Sequence, residues 1–161
     1  MDYYQGVVSD FLTADPSFFV NPEFCIRLNP EGSLKKGGHW YCDILAVSAG
    51  ERTIYLCEVT WSQTVWALCK RLGDFADNWT EIRAAILRDA QLAGEWDIRP
   101  WVFIPREQEG TAKGKIAKVR ADWGDPAGMP EPRVTCLEEV VPWLYRSPHG
   151  YPRRSAACEK E

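Results

Sequence analysis

Apolar residues recur along this chain at two different periods, and the switches between them outline its elements. In DYYQGVVSDFLT, residues 2–13, Tyr4, Val7, Val8, Phe11 and Leu12 predict an amphipathic helix that Asp15-Pro16 stops. FFVNPEFCIRL, residues 18–28, predicts a strand started or interrupted at Asn21-Pro22. NPEGSLKKGGH, residues 29–39, is a Gly- and Lys-containing loop without the G-x-x-x-x-G-K-[ST] spacing of a phosphate cradle. WYCDILAVS and RTIYLCEVT then predict a hairpin around Ala49-Gly50-Glu51-Arg52.

After the hairpin the period returns to that of a helix. Trp66, Cys69, Leu72, Phe75, Ala76, Trp79, Ile82, Ile86 and Ala90 recur at steps of three and four. They predict one long helix with Ser62 as N-cap and Gly94 as its stop. RPWVFIP, residues 99–105, predicts a strand, and TAKGKIAKVRADW, residues 111–123, a basic helix despite Gly114. VTCLEEVVPWLY, residues 134–145, predicts a last strand or short helix. Residues 1–145 thus read as a single α/β domain without internal repeats, and 146–161 as a flexible tail.

Composition narrows the class. At 161 residues, 45% apolar, with eight Trp, six Tyr and six Phe, the chain can bury a core and is no disordered polyelectrolyte. No apolar run approaches the roughly 20 residues of a membrane span, and the start MDYYQGVVSD carries no basic leader, so a cytoplasmic protein is expected. Cys25, Cys42, Cys57, Cys69, Cys136 and Cys158 contain no C-x-x-C pair, which argues for reduced thiols, four of them in apolar runs, and against a zinc site. His39 and His149 have no partner pattern for a metal or catalytic role.

The net charge of -4 excludes a histone-like polycation but hides an uneven distribution. Residues 98–121 hold six basic side chains (Arg99, Arg106, Lys113, Lys115, Lys118, Arg120) against two acids, whereas residues 1–60 hold four basic against eight acidic. Lys35 and Lys36 add positive charge in the loop leading to Asp43. Lys35, Lys36, Lys113, Lys115, Lys118 and Arg120 are therefore candidate contacts to DNA or RNA phosphates, or simply a solvated face. Trp40, Trp61 and Trp123 are the aromatic candidates for base stacking.

The hairpin carries the candidate chemistry. A two-residue, type II′ turn at Gly50-Glu51 gives paired positions summing to 101 and sets Asp43 opposite Glu58. Both strands are apolar on both faces, so the two carboxylates repel one another where desolvation is costly. A divalent cation resolves that conflict, Mg²⁺ typically taking one or two carboxylates plus waters and phosphate oxygens. The alternatives are a slipped register, which sends the acids to opposite faces, or a pair at a strand end that meets Arg or Lys.

Cys42-Asp43-Ile44-Leu45-Ala46, a hairpin, Glu58-Val59-Thr60 and a following helix resemble the PD-(D/E)xK nuclease superfamily over about residues 3–105. The resemblance implies an αβββαβ restriction-endonuclease-like core, a central mixed sheet flanked by helices. It also implies a metal-dependent hydrolase cleaving nucleic-acid phosphodiester bonds. Asp43 and Glu58 would hold Mg²⁺ or Mn²⁺, with the Val59 carbonyl a further ligand. The family's lysine two residues past the second acid is Thr60 here, and Lys70 on the following helix is the candidate to supply its charge. The family's frequent first-helix Glu falls at Gln5, with Asp10 the nearest acid. Trp61 and Gln63 would line the cleft or cap the helix start. The second reading is a catalytically silent module of the same fold that binds nucleic acid, a protein partner or a second copy of itself.

Overall fold

The computed structural model describes residues 1–28, 39–62, 64–123 and 128–141. Lys35, Lys36, Gln63, His149, Cys158 and the segment 146–161 lie outside them, as do the side chains of residues 119–123, Arg120 and Trp123 included.

The first helix, α1, spans Tyr3–Thr13 and opens on a reciprocal cap. The Asp2 carboxylate accepts from Gln5 N at 2.8 Å while Gln5 Oε1 accepts from Asp2 N at 2.8 Å, satisfying two otherwise orphaned amides. Three strands follow, β1 (Phe18–Arg27), β2 (His39–Ser48) and β3 (Thr53–Val59). Helices α2 (Trp66–Asp77) and α3 (Trp79–Ala90) lead to strand β4 (Asp97–Ile104). Helix α4 (Glu109–Trp123) leads to the short strand β5 (Arg133–Cys136).

The strands form one sheet in the order β1-β2-β3-β4-β5. Both pairings of β2 are antiparallel, while β3–β4 and β4–β5 are parallel, so the sheet is mixed. The crossovers are helical, as parallel neighbours require. Strand β3 is central and buried on both faces from Thr53 to Glu58. One apolar layer packs Val8 and Leu12 of α1 on Ile44, Ala46, Tyr55, Cys57, Trp101 and Phe103. The other packs Leu72, Phe75, Ile82, Ile86, Ala112 and Ile116 of α2, α3 and α4 on Leu45, Ile54, Leu56, Val102 and Ile104.

Three local details differ from the sequence expectation. The hairpin register sums to 101 from Ile44↔Cys57 through Ser48↔Thr53, as expected. Its connection, however, is the four residues Ala49–Arg52, closed by Ser48 Oγ accepting from Glu51 N at 3.3 Å. The left-handed residue is Arg52 (φ 51) and not Gly50, so the turn is not type II′. The long helix is two. Asn78 Nδ2 donates to the Asp74 carbonyl at 2.9 Å, competing with the backbone for its ladder acceptor, and the chain restarts as α3. Finally, α2 begins at Trp66 behind Val65, with no side-chain cap, and α3 ends on Gln91 in a left-handed turn (φ 49), before Gly94.

The described cysteines are free thiols, with Cys42, Cys57 and Cys136 buried. Among the described residues no helix is long and apolar enough to cross a membrane.

Candidate carboxylate site at the end of the central strands

An inversion of the pleat positions Asp43. Along β2, Ile44 and Ala46 face α1, yet Cys42 packs with the opposite layer. Strand β1 changes sides in step: Val20 packs toward α1, and Phe24 and Ile26 toward the other layer. The β1–β2 ladder runs Pro22↔Ile44 and then Phe24↔Cys42, skipping Glu23 and Asp43, and Glu23 sits at φ 51. A side-chain-bearing residue there costs roughly 1–2 kcal/mol. The strain is stored where Asp43 leaves the regular alternation and reaches across to the neighbouring strand.

That reach has two partners. Asp43 Oδ2 accepts from the Val59 backbone N–H at 2.7 Å, and Asp43 Oδ1 accepts from Gln5 Nε2 at 2.8 Å. The same Gln5 side chain therefore caps α1 with its oxygen and holds Asp43 with its nitrogen. Burial pushes the Asp43 carboxyl above its ordinary pKa, with the Val59 amide, Arg71 and Gln5 opposing the rise.

Glu58 lies one register step beyond the last β2–β3 pair, at the carboxyl end of β3 beside the carboxyl end of β4. Open α/β sheets bind ligands outside such strand ends. Its side chain is only 8% exposed, and Oε1 is buried without a hydrogen-bond partner among the described residues. Burial first and the Asp43 charge second push its pKa up to about 8, against the pull of Arg71. Arg71 Nη1 stands 3.6 Å from Glu58 Oε1, outside hydrogen-bond range, because the same nitrogen donates to the Tyr41 carbonyl. The acid pair thus sits at a strand end and does meet an arginine, but the arginine leaves Glu58 Oε1 unbonded.

Other predicted residues fall around this pair unevenly. The Thr60 N–H continues the ladder to the Phe103 carbonyl at 3.0 Å, and its Oγ1 accepts from Ser62 N at 3.2 Å. Lys70 is exposed on α2, and the cation that reaches the acids is its neighbour Arg71. Asp10 is exposed on α1, and Gln5 is the α1 residue at the site. On α4, Lys113 is tied to Glu109 at 2.6 Å, while Lys115 and Lys118 are exposed. Lys115 approaches α2: burial raises the Cys69 thiol's pKa, and the Lys115 ammonium opposes that rise. Trp40 stacks on Phe75 within the core layer, and His39 stands edge-on to Tyr41. Trp61 is 49% exposed and lies flat on Tyr4, ring centroids 4.5 Å apart.

The residues present fit a small hard cation in one respect and fall short in another. Two carboxylates of raised pKa, one with an oxygen lacking any donor, form the oxygen-rich set that Mg²⁺ accepts. No group of three or more His, Cys, Asp or Glu side chains able to hold a metal converges among the described residues, so backbone carbonyl, water or phosphate would complete the shell. A shallow cavity elsewhere, between Thr53, Tyr55, Trp79, Arg83, Asp97 and Arg99, contains neither carboxylate. No family model matches this chain, and no curated protein matches it.

Proposed function

We propose that the chain is a divalent-metal-dependent nuclease of the PD-(D/E)xK type, with a restriction-endonuclease-like core, hydrolysing nucleic-acid phosphodiester bonds. The observation that carries this reading is Glu58: a buried carboxylate with an unbonded oxygen, set beside a second acid at a strand end. Without a cation such a pair only costs stability. The run of one helix, three strands, helices and a strand, with acids on the second and third strands, supports the same reading.

Bound Mg²⁺ or Mn²⁺ would polarise the scissile phosphate and lower the pKa of the attacking water. The chain's own contribution is positional. Gln5 and the Val59 amide fix the Asp43 carboxylate from two directions, leaving its remaining lone pairs free. The Val59 carbonyl would offer the ion a further oxygen. Arg71 supplies the positive charge that Thr60 lacks, and it is planar, permanently charged and suited to phosphate oxygens. Lys70, one residue earlier and exposed, adds long-range attraction for the backbone.

A second reading, a silent module of the same fold that binds nucleic acid or protein, is favoured by Thr60, whose hydroxyl is engaged by Ser62 N. Cleavage assays on single- and double-stranded DNA and RNA with Mn²⁺ separate the two. The nuclease reading expects activity that Asp43→Ala and Glu58→Gln abolish. Activity surviving in Asp43→Ala refutes the site. Salt-dependent binding without any cleavage favours the silent module.

A further inference from the structure

Among the described residues the large aromatics left exposed are Tyr3, Phe19, Tyr41, Trp61 and Trp66. Four of these five are close in sequence to a residue of the site. Tyr3 is two positions before Gln5, Tyr41 two before Asp43, Trp61 three after Glu58, and Trp66 opens the helix that carries Arg71. Only Phe19, paired with Val47 toward the other end of β2, stands apart. Scattered surface aromatics need no explanation, but rings that recur beside the residues of one site do.

Three rings form one bank: Tyr4 and Trp61 stack in parallel (interplanar angle 4°), with Tyr3 edge-on to Tyr4 at 5.2 Å. This bank is anchored to the acids, because Gln5 follows Tyr4 and bonds Asp43. Tyr41, 52% exposed, lies on β2, where its backbone carbonyl accepts from Arg71, and Trp66, 67% exposed, opens α2, the helix that brings Arg71 toward Glu58. A cation accompanies Trp66: Lys70 is one helical turn beyond it and exposed. Open ring faces interleaved with cations suit a strand that offers both bases and phosphates. A duplex offers phosphates but keeps its base faces stacked inside, so rings at this site would gain nothing from it.

We infer that this site takes single-stranded nucleic acid, with unpaired bases stacked on Trp61, beside Asp43, and on Trp66 at the start of the helix that carries Arg71. The inference rests on the nuclease reading for the role of the acids and adds the class of substrate.

Binding is measured in EDTA, so that nothing is cut, with an oligodeoxythymidine strand, an oligouridine strand, the matching duplexes and an abasic strand of equal length. At least one single strand is expected to bind more tightly than its duplex and than the abasic strand. Trp61→Ala and Trp66→Ala are each expected to weaken that binding about 5- to 150-fold, with the salt slope unchanged because phosphate contacts remain. Trp61→Phe, which keeps a ring, should recover most of the loss. Equal affinity for duplex or abasic strand, no binding of any nucleic acid, or alanine variants that bind like wild type would each overturn the inference. Cleavage in Mn²⁺, with Asp43→Ala as control, is read separately. Cutting that prefers duplex retains the nuclease and overturns the single-strand inference. Base-dependent binding without cutting supports the stacking role and removes the nuclease.

Discussion

The Val59 amide donates to Asp43 Oδ2 at 2.7 Å, so a side chain replaces a strand carbonyl where β2 and β3 part. This one bond ties the second strand's acid to the residue that follows the third strand's acid. The mutual position of Asp43 and Glu58 is therefore a property of the sheet and not of a loop. The first consequence concerns pH. Burial and Asp43 raise the Glu58 pKa to about 8 from 4.5. Between those values the folded chain holds a proton that the unfolded chain has released, so stability falls as pH rises. The loss is complete above about pH 8 and is on the order of 5 kcal/mol. Metal-free protein is expected to melt higher at pH 5 than at pH 8.5. Glu58→Gln should flatten most of that slope, and an equal slope in both proteins would refute the raised pKa.

Divalent cations act on the same balance from the other side. Mg²⁺ or Mn²⁺ bound by the ionised pair stabilises the folded state by mass action, about 2.7 kcal/mol at a hundredfold excess over Kd. Thermal melting at pH 8 should show an upward shift for wild type that Asp43→Asn and Glu58→Gln lose. Because protons and metal compete for the same oxygens, the shift should shrink toward pH 5. Absence of a shift, with Glu58→Gln melting at or above wild type, would refute a metal site.

Gln5 sets how well the pair tolerates being without metal. Its nitrogen donates to Asp43 while its oxygen serves the helix cap. Gln5→Glu keeps the cap acceptor but exchanges the donor for a third carboxylate beside Asp43. In metal-free protein at pH 8 this should cost about 1–3 kcal/mol, the penalty of a lost bond plus like-charge repulsion. The same substitution should enlarge the Mn²⁺-induced melting shift, since a third acid joins the ligand set. A variant with unchanged metal-free stability and an unchanged shift would show that Gln5 and Asp43 are not coupled.

Much of this geometry was legible in the sequence, and the parts that were not have definite physical reasons. A turn centred between Gly50 and Glu51 gives the observed register from Ile44↔Cys57 to Ser48↔Thr53, even though the connection is four residues with Arg52 in the left-handed region instead of a type II′ turn at Gly50. The pleat inversion was hidden, because nothing in Glu23 announces a positive φ. Lys70 came from the resemblance and not from the apolar stripe. The buried positions Leu68, Leu72, Phe75 and Ala76 put Lys70 on the far side of α2, at about 100° per residue, and leave Arg71 at the flank of the buried face. The break at Asn78 escaped notice because its apolar neighbours keep step across it, and only the side-chain bond to Asp74 interrupts the backbone.

Arg71 provides the sharpest separation of stability from function. Its guanidinium is 41% exposed and 3.6 Å from Glu58, so the ion pair is partly screened. Arg71→Ala removes the bond to the Tyr41 carbonyl, which is independent of pH, and its attractions to Asp43 and to Glu58, the latter present only when Glu58 is ionised. The cost should be about 1 kcal/mol at pH 5 and greater at pH 8.5. In a Glu58→Gln background the part of the pH dependence owed to Glu58 should vanish, and this double-mutant cycle isolates that pair. Arg71→Lys keeps the charge but loses the planar fork, so it should restore the stability at pH 8.5 better than the cleavage rate. A cost that is the same at both pH values in both backgrounds would mean that Arg71 serves β2 through Tyr41 alone and has no electrostatic tie to the acids.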